Sequence, residues 1–573
     1  MKHLLKHAKK YTKECICGPV FKLLEASFEL CVPLVMKRII DIGIANGDRP
    51  YIIKNALLMV LLGLLGFACT VVAQYFSAKA SVGIVAGLKR ELIGHISSLS
   101  HTELDTLGSS TLITRMTSDA NQVQSGINLT LRLFMRSPFI VFGSAIMAFT
   151  IDVKTATTFA AVIPALSVVV FGIMLICIPL YKKVQSGLDG VMLLSRENLA
   201  GVRVIRAFRR ENAEIKDFDA SCEGLKREQN LVGRISALMN PLTYALINAA
   251  ILVLIYVGAL RVDSGAITQG AVIALYNYMS QILIELVKFA NLIITMTKSV
   301  ACENRMEKVF DVGSSLKELG NETPDFSSIE MRDVSLTYKG ASAPSLEHVN
   351  FIAERGETIG IIGGTGSGKS SLVNLIPHFY DATEGEVLVG GKNINTVDTE
   401  KLRRRIGVVP QKAMLFRGAI KDNLLWGDKN ADDDALEEAL EASQSAQFVS
   451  EKKDGINERV DQGGRNFSGG QRQRLTVARA LVRRPDVLIL DDSSSALDFA
   501  TDAAMRKAIK NLPYKPTTFI VSQRTSSIAS ADRIIVLDDG KQVACGTHEE
   551  LLETCDVYRE IHESQTGKEA AKA

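Results

Sequence analysis

The sequence has little that would mark a disulfide-stapled, metal-binding or nucleic-acid-binding protein. Its nine cysteines are scattered and form no CxxC pair, and Cys15 and Cys17 stand one residue apart, a poor spacing for zinc. Reduced thiols in a cytosolic or membrane setting are the expectation. Charge of one sign is not in excess either. The 66 Lys and Arg face 63 Asp and Glu, and the formal net charge of +3 gives no basis for a nucleic-acid partner. The N-terminus, MKHLLKHAKKYTK, is basic and then apolar, as a signal peptide begins. The apolar stretch after it is long, contains Glu25 and Glu29, and lacks a clear small-residue cleavage site. It reads as a cytosolic elbow leading into a retained first helix.

What is abundant is long apolar sequence, and it is unevenly placed. A chain of 573 residues is too long for one core. Residues 1–310 hold most of the apolar runs, 311–328 form a linker rich in Gly, Ser, Asn and Pro, and 329–573 have the mixed composition of a soluble domain. A membrane span needs about 20 mainly apolar residues. Six stretches qualify: 18–45, 51–77, 129–150, 156–181, 239–261 and 269–298. The first is the weakest, because it carries Glu25, Glu29 and Lys37.

Connections after spans one, three and five are short, whereas those after two and four are long and read as helical continuations of the spans. The leading segment has five lysines and residues 182–238 hold eleven Lys or Arg, against only Arg49, Lys154 and Arg261 in the short connections. Positive-inside reasoning places the N-terminus, both long connections and the second domain in the cytoplasm of a multi-pass cell-membrane protein.

Ionisable residues within a span are candidates for function because their burial in lipid is costly. Glu25 and Glu29, four apart, share a face of the first helix; Glu285 and Lys288 are three apart on the sixth, beside Asn277, Gln281 and Asn291. A substrate pathway tolerant of polar or cationic cargo and a structural pairing between helices both fit this pattern.

In the soluble half, a strand pattern TIGIIG runs into GGTGSGKSSLVNLI, which is GxxxxGK[ST] between a strand and a helix. Gly363, Gly364, Thr365, Gly366, Ser367, Gly368, Lys369, Ser370 and Ser371 form this loop. Backbone N–H groups approach phosphates there, Lys369 brings charge to the β- and γ-phosphates, and the Ser370 hydroxyl is a ligand for Mg²⁺. ATP with Mg²⁺ is the expected cofactor. Downstream, FSGGQRQRLTVARAL spans Phe467 to Leu481, followed by VLILDD ending in Asp491 and Asp492, then SSSALD.

In this order and spacing, these elements resemble the ABC transporter family, of the exporter type. The fold implied is an α-helical six-helix transmembrane domain fused to an α/β P-loop ATPase domain. DNA-repair and structural-maintenance ATPases share the signature but lack six spans. LDTLGSSTLITRMTSD and NLAGVRVIRAFRRENAE are similar to the family's two intracellular loops, whose tips, here near Asp105–Ser109 and Arg209–Ala213, dock onto ATP-binding domains.

The resemblance also implies residue roles. Tyr338 corresponds to the aromatic that stacks on adenine, although a packed strand residue is the alternative. Gln411 corresponds to the glutamine that contacts Mg²⁺ and faces the membrane domain, and Asp491 to the acid that holds Mg²⁺. Ser468, Gly469, Gly470 and Gln471 correspond to the signature that meets the γ-phosphate of ATP on the opposite subunit, and Asp498 to an aspartate linking the two sites. Two such domains close head to tail around two ATP molecules, so a single chain cannot complete a site.

Three positions depart from the family pattern, two of them at its hydrolytic groups. After Asp491 the family has a glutamate that polarises the attacking water; here it is Asp492, whose carboxylate is retracted by about 1–1.5 Å, while catalytic hydrogen bonds span about 2.6–3.2 Å. The histidine expected before Arg524 is Gln523, which can donate a hydrogen bond but cannot carry a charge. Gln462 also stands where exporters often have glutamate. The combination resembles the degenerate-site subunit of a heterodimeric, multidrug-type exporter.

The expected function is ATP-driven export of hydrophobic or amphipathic compounds. The expected partner is a second half-transporter with a glutamate after its Walker B aspartate and a histidine in its switch loop. A peptide or lipid exporter, a homodimer and an ATP-gated regulator are the alternatives.

Overall fold

The computed structural model describes residues 2–318 and 320–570, without the side chains of 566–570. Met1, Leu319 of the expected linker and the end of the second domain, 571–573, lie outside the described residues. Contacts divide the chain into two units: Met1–Ser97 with Ser109–Val312, and Ser98–Gly108 with Gly313–Ala573.

The first unit is helical. Its long elements are α1 (Thr12–Arg38) and α2 (Arg49–Ser98). Beyond α3 (His101–Leu107), which belongs to the second unit, come α4 (Ala120–Leu133), α5 (Arg136–Ile151) and α6 (Val153–Ala200). They are followed by α7 (Glu211–Ala237), α8 (Met239–Asp263) and α9 (Gln269–Phe310). At 1.5 Å per residue, the 50 residues of α2 extend about 75 Å, far beyond a hydrocarbon core of about 30 Å. Hydropathy marks only the stretch that lipid would cover, so the helices overrun the expected spans.

Five of the expected spans lie in helices long and apolar enough to cross a membrane among the described residues; the first does not. Lys22, Glu25, Glu29, Lys37 and Arg38 dilute the hydropathy of α1, which ends in a π-helical turn at Ile39–Ile44. The third expected span, 129–150, runs through α4 and α5, and the helical backbone continues across Phe134–Met135 while the hydrogen-bond ladder is interrupted there. Pro138 explains the interruption, since it cannot donate the helical hydrogen bond to Phe134.

The apolar core of this unit is built by Leu30 of α1, Val141 of α5, Phe159 and Leu166 of α6, and Leu254 of α8. Leu275, Tyr278 and Ile282 of α9 complete it. The Tyr278 hydroxyl, fully buried, donates to the Leu30 carbonyl at 2.6 Å, which satisfies the one polar group of a large apolar side chain.

The second unit contains a ten-stranded mixed sheet. Its strands are β1 (Ser328–Leu336), β2 (Leu346–Glu354), β3 (Thr358–Gly363), β4 (Glu384–Val389), β5 (Lys392–Asn393) and β6 (Ile406–Val409). A separate two-stranded ribbon pairs β7 (Gly418–Ala419) with β8 (Arg459–Val460). The large sheet is completed by β9 (Val487–Asp491), β10 (Thr517–Val521), β11 (Arg533–Asp538) and β12 (Lys541–Gly546).

Its order is β5-β4-β1-β2-β12-β11-β3-β10-β9-β6, with β11, β3, β10, β9 and β6 parallel. All five residues of β9 and of β10 are buried, as expected of parallel strands covered on both faces. Alternation divides them: Ile361, Ile489 and Phe519 enter one core, and Ile362, Leu488, Leu490 and Ile520 the other. The helices that matter below are α10 (Lys369–Leu375), α11 (Gly469–Leu481), α12 (Phe499–Lys510), α13 (Thr525–Ile528) and α14 (Asp556–Ala570).

Candidate nucleotide site

Strand order assembles the site. The C-terminal ends of β3, β10, β9 and β6 lie side by side, in register Ile361–Val521 and Val521–Asp491. Ligands in open α/β sheets bind beyond such ends. Here the four strands deliver, in that spatial order, the glycine-rich loop, Ser522–Gln523, Asp491–Asp492 and, just past Val409, Gln411. Backbone bonds fasten the neighbours: the Ser522 N–H donates to the Ile361 carbonyl at 3.1 Å and the Asp492 N–H to the Val521 carbonyl at 3.0 Å.

A cavity of about 260 Å³ opens at this edge, lined by Thr365, Gly366, Gly368, Lys369, Ser370 and Ser371 of the loop together with Gln411, Asp491, Asp492 and Gln523. Two glycines show why the loop is written as it is. Gly366 and Gly368 both have φ +88°, in the left-handed region. A Cβ on Gly368 would lie 2.4 Å from the Ser345 carbonyl, whereas one on Gly366 meets nothing within 4 Å. One position is closed by packing and the other leaves the backbone open to a close-lying group.

Lys369 is buried and its Nζ donates to the carbonyls of Gly363 (3.0 Å) and Gly364 (2.5 Å). Burial pulls its ammonium below the ordinary value, partly offset by Asp492 and Asp491. The Ser370 hydroxyl donates to Asp491 Oδ1 at 3.0 Å, which brings two of the three expected Mg²⁺ ligands together. Burial pushes the Asp491 carboxyl up; the Ser370 hydrogen bond opposes this and the Asp492 charge adds to it. A bound cation would relieve that cost.

Asp492 sits at φ 48°, a left-handed conformation that short polar side chains tolerate best, and its Oδ2 accepts from Gln411 Nε2 at 3.4 Å. Among the described residues no group of three or more His, Cys, Asp or Glu is arranged to hold a metal. That donor set fits Mg²⁺, which prefers one or two protein oxygens plus phosphate and water over an all-protein cage. The residues therefore fit MgATP, with Lys369 and the loop amides toward phosphate and Ser370, Asp491 and Gln411 toward the metal. When bound, the nucleotide would supply the transferable phosphoryl group and the metal would neutralise its charge.

Tyr338 is half-buried. Its hydroxyl donates to Ser371 at 3.0 Å and its ring meets Tyr380 edge-on at 5.1 Å, so it adjoins the cavity through Ser371 without lining it. Ser468, Gly469, Gly470 and Gln471 stand apart from the loop cavity at the start of α11. There Ser468 and Gln471 form a capping box: Oγ of Ser468 accepts from the Gln471 N–H at 3.2 Å and Gln471 Oε1 from the Ser468 N–H at 3.1 Å. Gln462 and Gly469 border a second concavity of about 570 Å³ that shares Gln411. Asp498 caps α12, accepting from the Thr501 N–H at 2.9 Å.

Within the second unit, α3 lies against Phe379 and Tyr380: the Tyr380 hydroxyl donates to Asp105 Oδ2 at 2.7 Å, and the His101 ring stacks on Phe379 at 4.3 Å. The other expected tip, near Arg209–Ala213, forms the turn into α7 in the first unit, with Arg209 at φ 52°.

The helical unit gathers most of its expected charges around a residue that sequence reasoning missed. Arg136, at the start of α5, donates to Glu285 Oε1 (2.6 Å) and Glu29 Oε2 (2.7 Å), and lies 3.8 Å from Glu25 Oε1. Ser137 donates to Glu285 Oε2 at 2.8 Å, Lys288 pairs with Glu285 at 2.8 Å, and Lys22 with Glu25 at 2.5 Å. Three cations thus meet three carboxylates from α1, α5 and α9. Gln281 accepts weakly from Ser144 at 3.5 Å, and Asn277 is half-buried on the same helix outside this cluster. The available signal for Arg136 was its charge inside the expected span 129–150.

The comparisons with known proteins agree with this architecture. Residues 15–286 match the ABC transporter transmembrane region and residues 346–495 the ABC transporter ATPase model. An ABC transporter ATP-binding protein of Mycobacterium tuberculosis is 36% identical over 573 residues, covering 98% of both chains. The chain belongs to the ABC transporter family. An ABC transporter ATP-binding protein of Bacillus subtilis is 33% identical over the full length of both. The ATP-dependent lipid A-core flippase of Escherichia coli K12 is 26% identical over 96% of this transporter and 95% of the flippase. A solved bacterial Atm1-family ABC exporter with ATP bound has the same fold, with a TM-score of 0.80 at 20% identity over 96% of this chain and 97% of that one. A helical transmembrane domain fused to an ATPase domain with a mixed sheet is therefore the fold of this transporter.

Proposed function

We propose that this transporter is one half of a heterodimeric exporter, and that its own loop binds MgATP well and hydrolyses it poorly. The observation that carries the reading is the contrast inside one cavity. Lys369, Ser370 and Asp491 line it, with Ser370 donating to Asp491, which supports phosphate and metal binding, while the groups at the positions read as hydrolytic are Asp492 and Gln523. A carboxylate displaced by about 1 Å costs on the order of 10²-fold in rate. Gln523 can orient through a hydrogen bond but cannot supply an imidazolium.

In this reading Ser468, Gly469, Gly470 and Gln471 complete the partner's site, Tyr338 stacks on adenine after turning from Tyr380, and Asp498 links the two sites. The partner carries the Walker B glutamate and the switch histidine. The chain lies in the cell membrane with its N-terminus and ATPase domain in the cytoplasm, and residues 1–310, 311–328 and 329–573 act as membrane domain, linker and ATPase.

The cargo is hydrophobic or amphipathic. A lipid is the more specific alternative, supported by relatives named as lipid A-core flippases at 26–27% identity. Glu25, Glu29, Asn277, Gln281, Glu285 and Lys288 remain the candidate pathway residues, of which Glu29 and Lys288 keep 39% and 45% of their side-chain surface exposed.

The test is the assembled transporter carrying Ser468→Arg. Most hydrolysis should stop although this chain's own loop is untouched, and near-normal ATPase activity, or function as a homodimer, would contradict the assignment. Uphill flux in sealed vesicles separates a pump from an ATP-gated regulator, which would bind nucleotide without driving flux.

A further inference from the structure

The loop that carries Gln523 is fastened from behind by the C-terminal helix. Between β10 and α13 the chain turns through Ser522, Gln523 and Arg524, and the Arg524 N–H donates to Ser522 Oγ at 2.9 Å. Gln565 on α14 presents its side-chain amide to the same turn. Its Oε1 accepts from the Thr525 N–H at 2.9 Å and from the Thr525 hydroxyl at 3.1 Å, while its Nε2 donates to the Gln523 carbonyl at 2.7 Å. His562, three residues earlier and hence on the same face of α14, places Nδ1 3.1 Å from Thr525 Oγ1. Thr525 itself is 2% exposed.

An amide bonded through both its oxygen and its nitrogen has a fixed orientation, and here it clamps the backbone on both sides of Arg524. The Gln523 peptide cannot rotate without breaking the shortest of these bonds. That rotation is what would redirect the Gln523 side chain, which lines the cavity with Lys369, Asp491 and Asp492.

We infer that Gln565 is a positioning residue for this nucleotide site. By holding the Gln523 carbonyl and the Thr525 N–H it sets the direction from which Gln523 reaches the γ-phosphate, and it makes α14 part of the discrimination between ATP and ADP. This rests on the proposed reading of Gln523 as standing where the family's switch histidine meets the γ-phosphate. Gln565 touches no nucleotide; it acts through the loop.

The test measures MgATP and MgADP affinity of the purified full chain by calorimetry for wild type, Gln565→Ala, Gln565→Glu, Gln523→Ala and the double variant Gln523→Ala/Gln565→Ala. Gln565→Ala should weaken MgATP about three- to tenfold, the effect of losing one or two ordinary hydrogen bonds, with MgADP affinity unchanged within about twofold. Gln565→Glu keeps side-chain length but sets a carboxylate oxygen against the Gln523 carbonyl, so it should lose as much as alanine. This second variant holds the test if alanine unsettles α14. In the Gln523→Ala background, Gln565→Ala should add nothing.

Equal losses for MgATP and MgADP, unchanged MgATP affinity, or full additivity with Gln523→Ala would each overturn the inference. If Gln523→Ala alone leaves the ATP-to-ADP preference unchanged, the γ-phosphate reading fails first and the positioning role falls with it.

Discussion

Replacing Arg136 with methionine would remove the cation on which three acidic side chains converge. The structure sets the size of the effect. Glu285 is 3% exposed and would keep Lys288 and Ser137 at 2.8 Å, so it would not be left bare. Glu29 would lose its 2.7 Å partner but is 39% exposed, which permits partial solvation. Breaking a buried ion pair by removing one partner typically costs about 3–5 kcal/mol. The surviving partners place Arg136→Met near the lower end, about 3 kcal/mol, and at about 1.6 °C per kcal/mol for a unit of this size the melting temperature should fall by about 5 °C.

The cluster of Lys22, Arg136 and Lys288 against Glu25, Glu29 and Glu285 is charge-balanced, and the variant leaves one excess carboxylate. Arg136→Met/Glu285→Gln restores the balance and should recover at least half of the loss. Thermal melts of detergent-purified protein, read by size-exclusion recovery, check both. A melting temperature within a degree of wild type, together with altered transport, would refute a stabilising role for the pairing and leave the substrate pathway as the role of Glu25, Glu29 and Glu285.

Lys369→Ala should weaken MgATP binding at this chain's loop and slow transport by the assembled complex without abolishing its ATPase; loss of all hydrolysis would make this the main catalytic site. Asp492→Glu alone should raise turnover modestly at best, because Gln523 is unchanged and the φ of 48° suits glutamate less well than aspartate; steady-state ATPase of the variant measures this. The raised Asp491 carboxyl predicts a pH dependence with a definite sign. Burial disfavours its ionised form, so protonation as pH falls should erode Mg²⁺-dependent ATP binding at a higher pH than an ordinary aspartate would, whereas Asp491→Asn should bind weakly at every pH in the same titration. Tyr380→Phe removes the 2.7 Å hydrogen bond to Asp105 and should lower substrate-stimulated ATPase more than basal ATPase, read from the ratio of the two rates.

The nucleotide site was readable in the sequence to the extent that its chemistry is local. GGTGSGKS, VLILDD and the signature each keep their residues within one strand-and-turn unit, and the sheet then sets Lys369, Asp491, Asp492 and Gln523 around one cavity. The clamp from Gln565 was not readable, because a lone glutamine 42 residues from Gln523 has no local pattern. The partners of Arg136 were hidden for a related reason. Spacing pairs residues on one helix, such as Glu285 with Lys288, but the stronger contacts join α1, α5 and α9 over separations of 107 and 149 residues. Those same contacts account for the charge that made the first span look weak: its carboxylates have a partner inside the unit. The continuation of spans two and four beyond their apolar stretches was readable from the breaker-poor connections after them, and α2 and α6 run on as single helices.

The central claim is that this chain's own site holds MgATP without hydrolysing it efficiently. The direct measurement is ATP turnover and MgATP affinity of the purified chain, free of the second half-transporter and concentrated so that two copies close head to tail and complete the site with this chain's own signature, compared with the double variant Asp492→Glu/Gln523→His. The account predicts matching affinities within a few-fold and a wild-type turnover lower than the variant's by on the order of 10²-fold. Rapid hydrolysis by the unmodified chain alone, at a rate the double variant does not exceed, would contradict it.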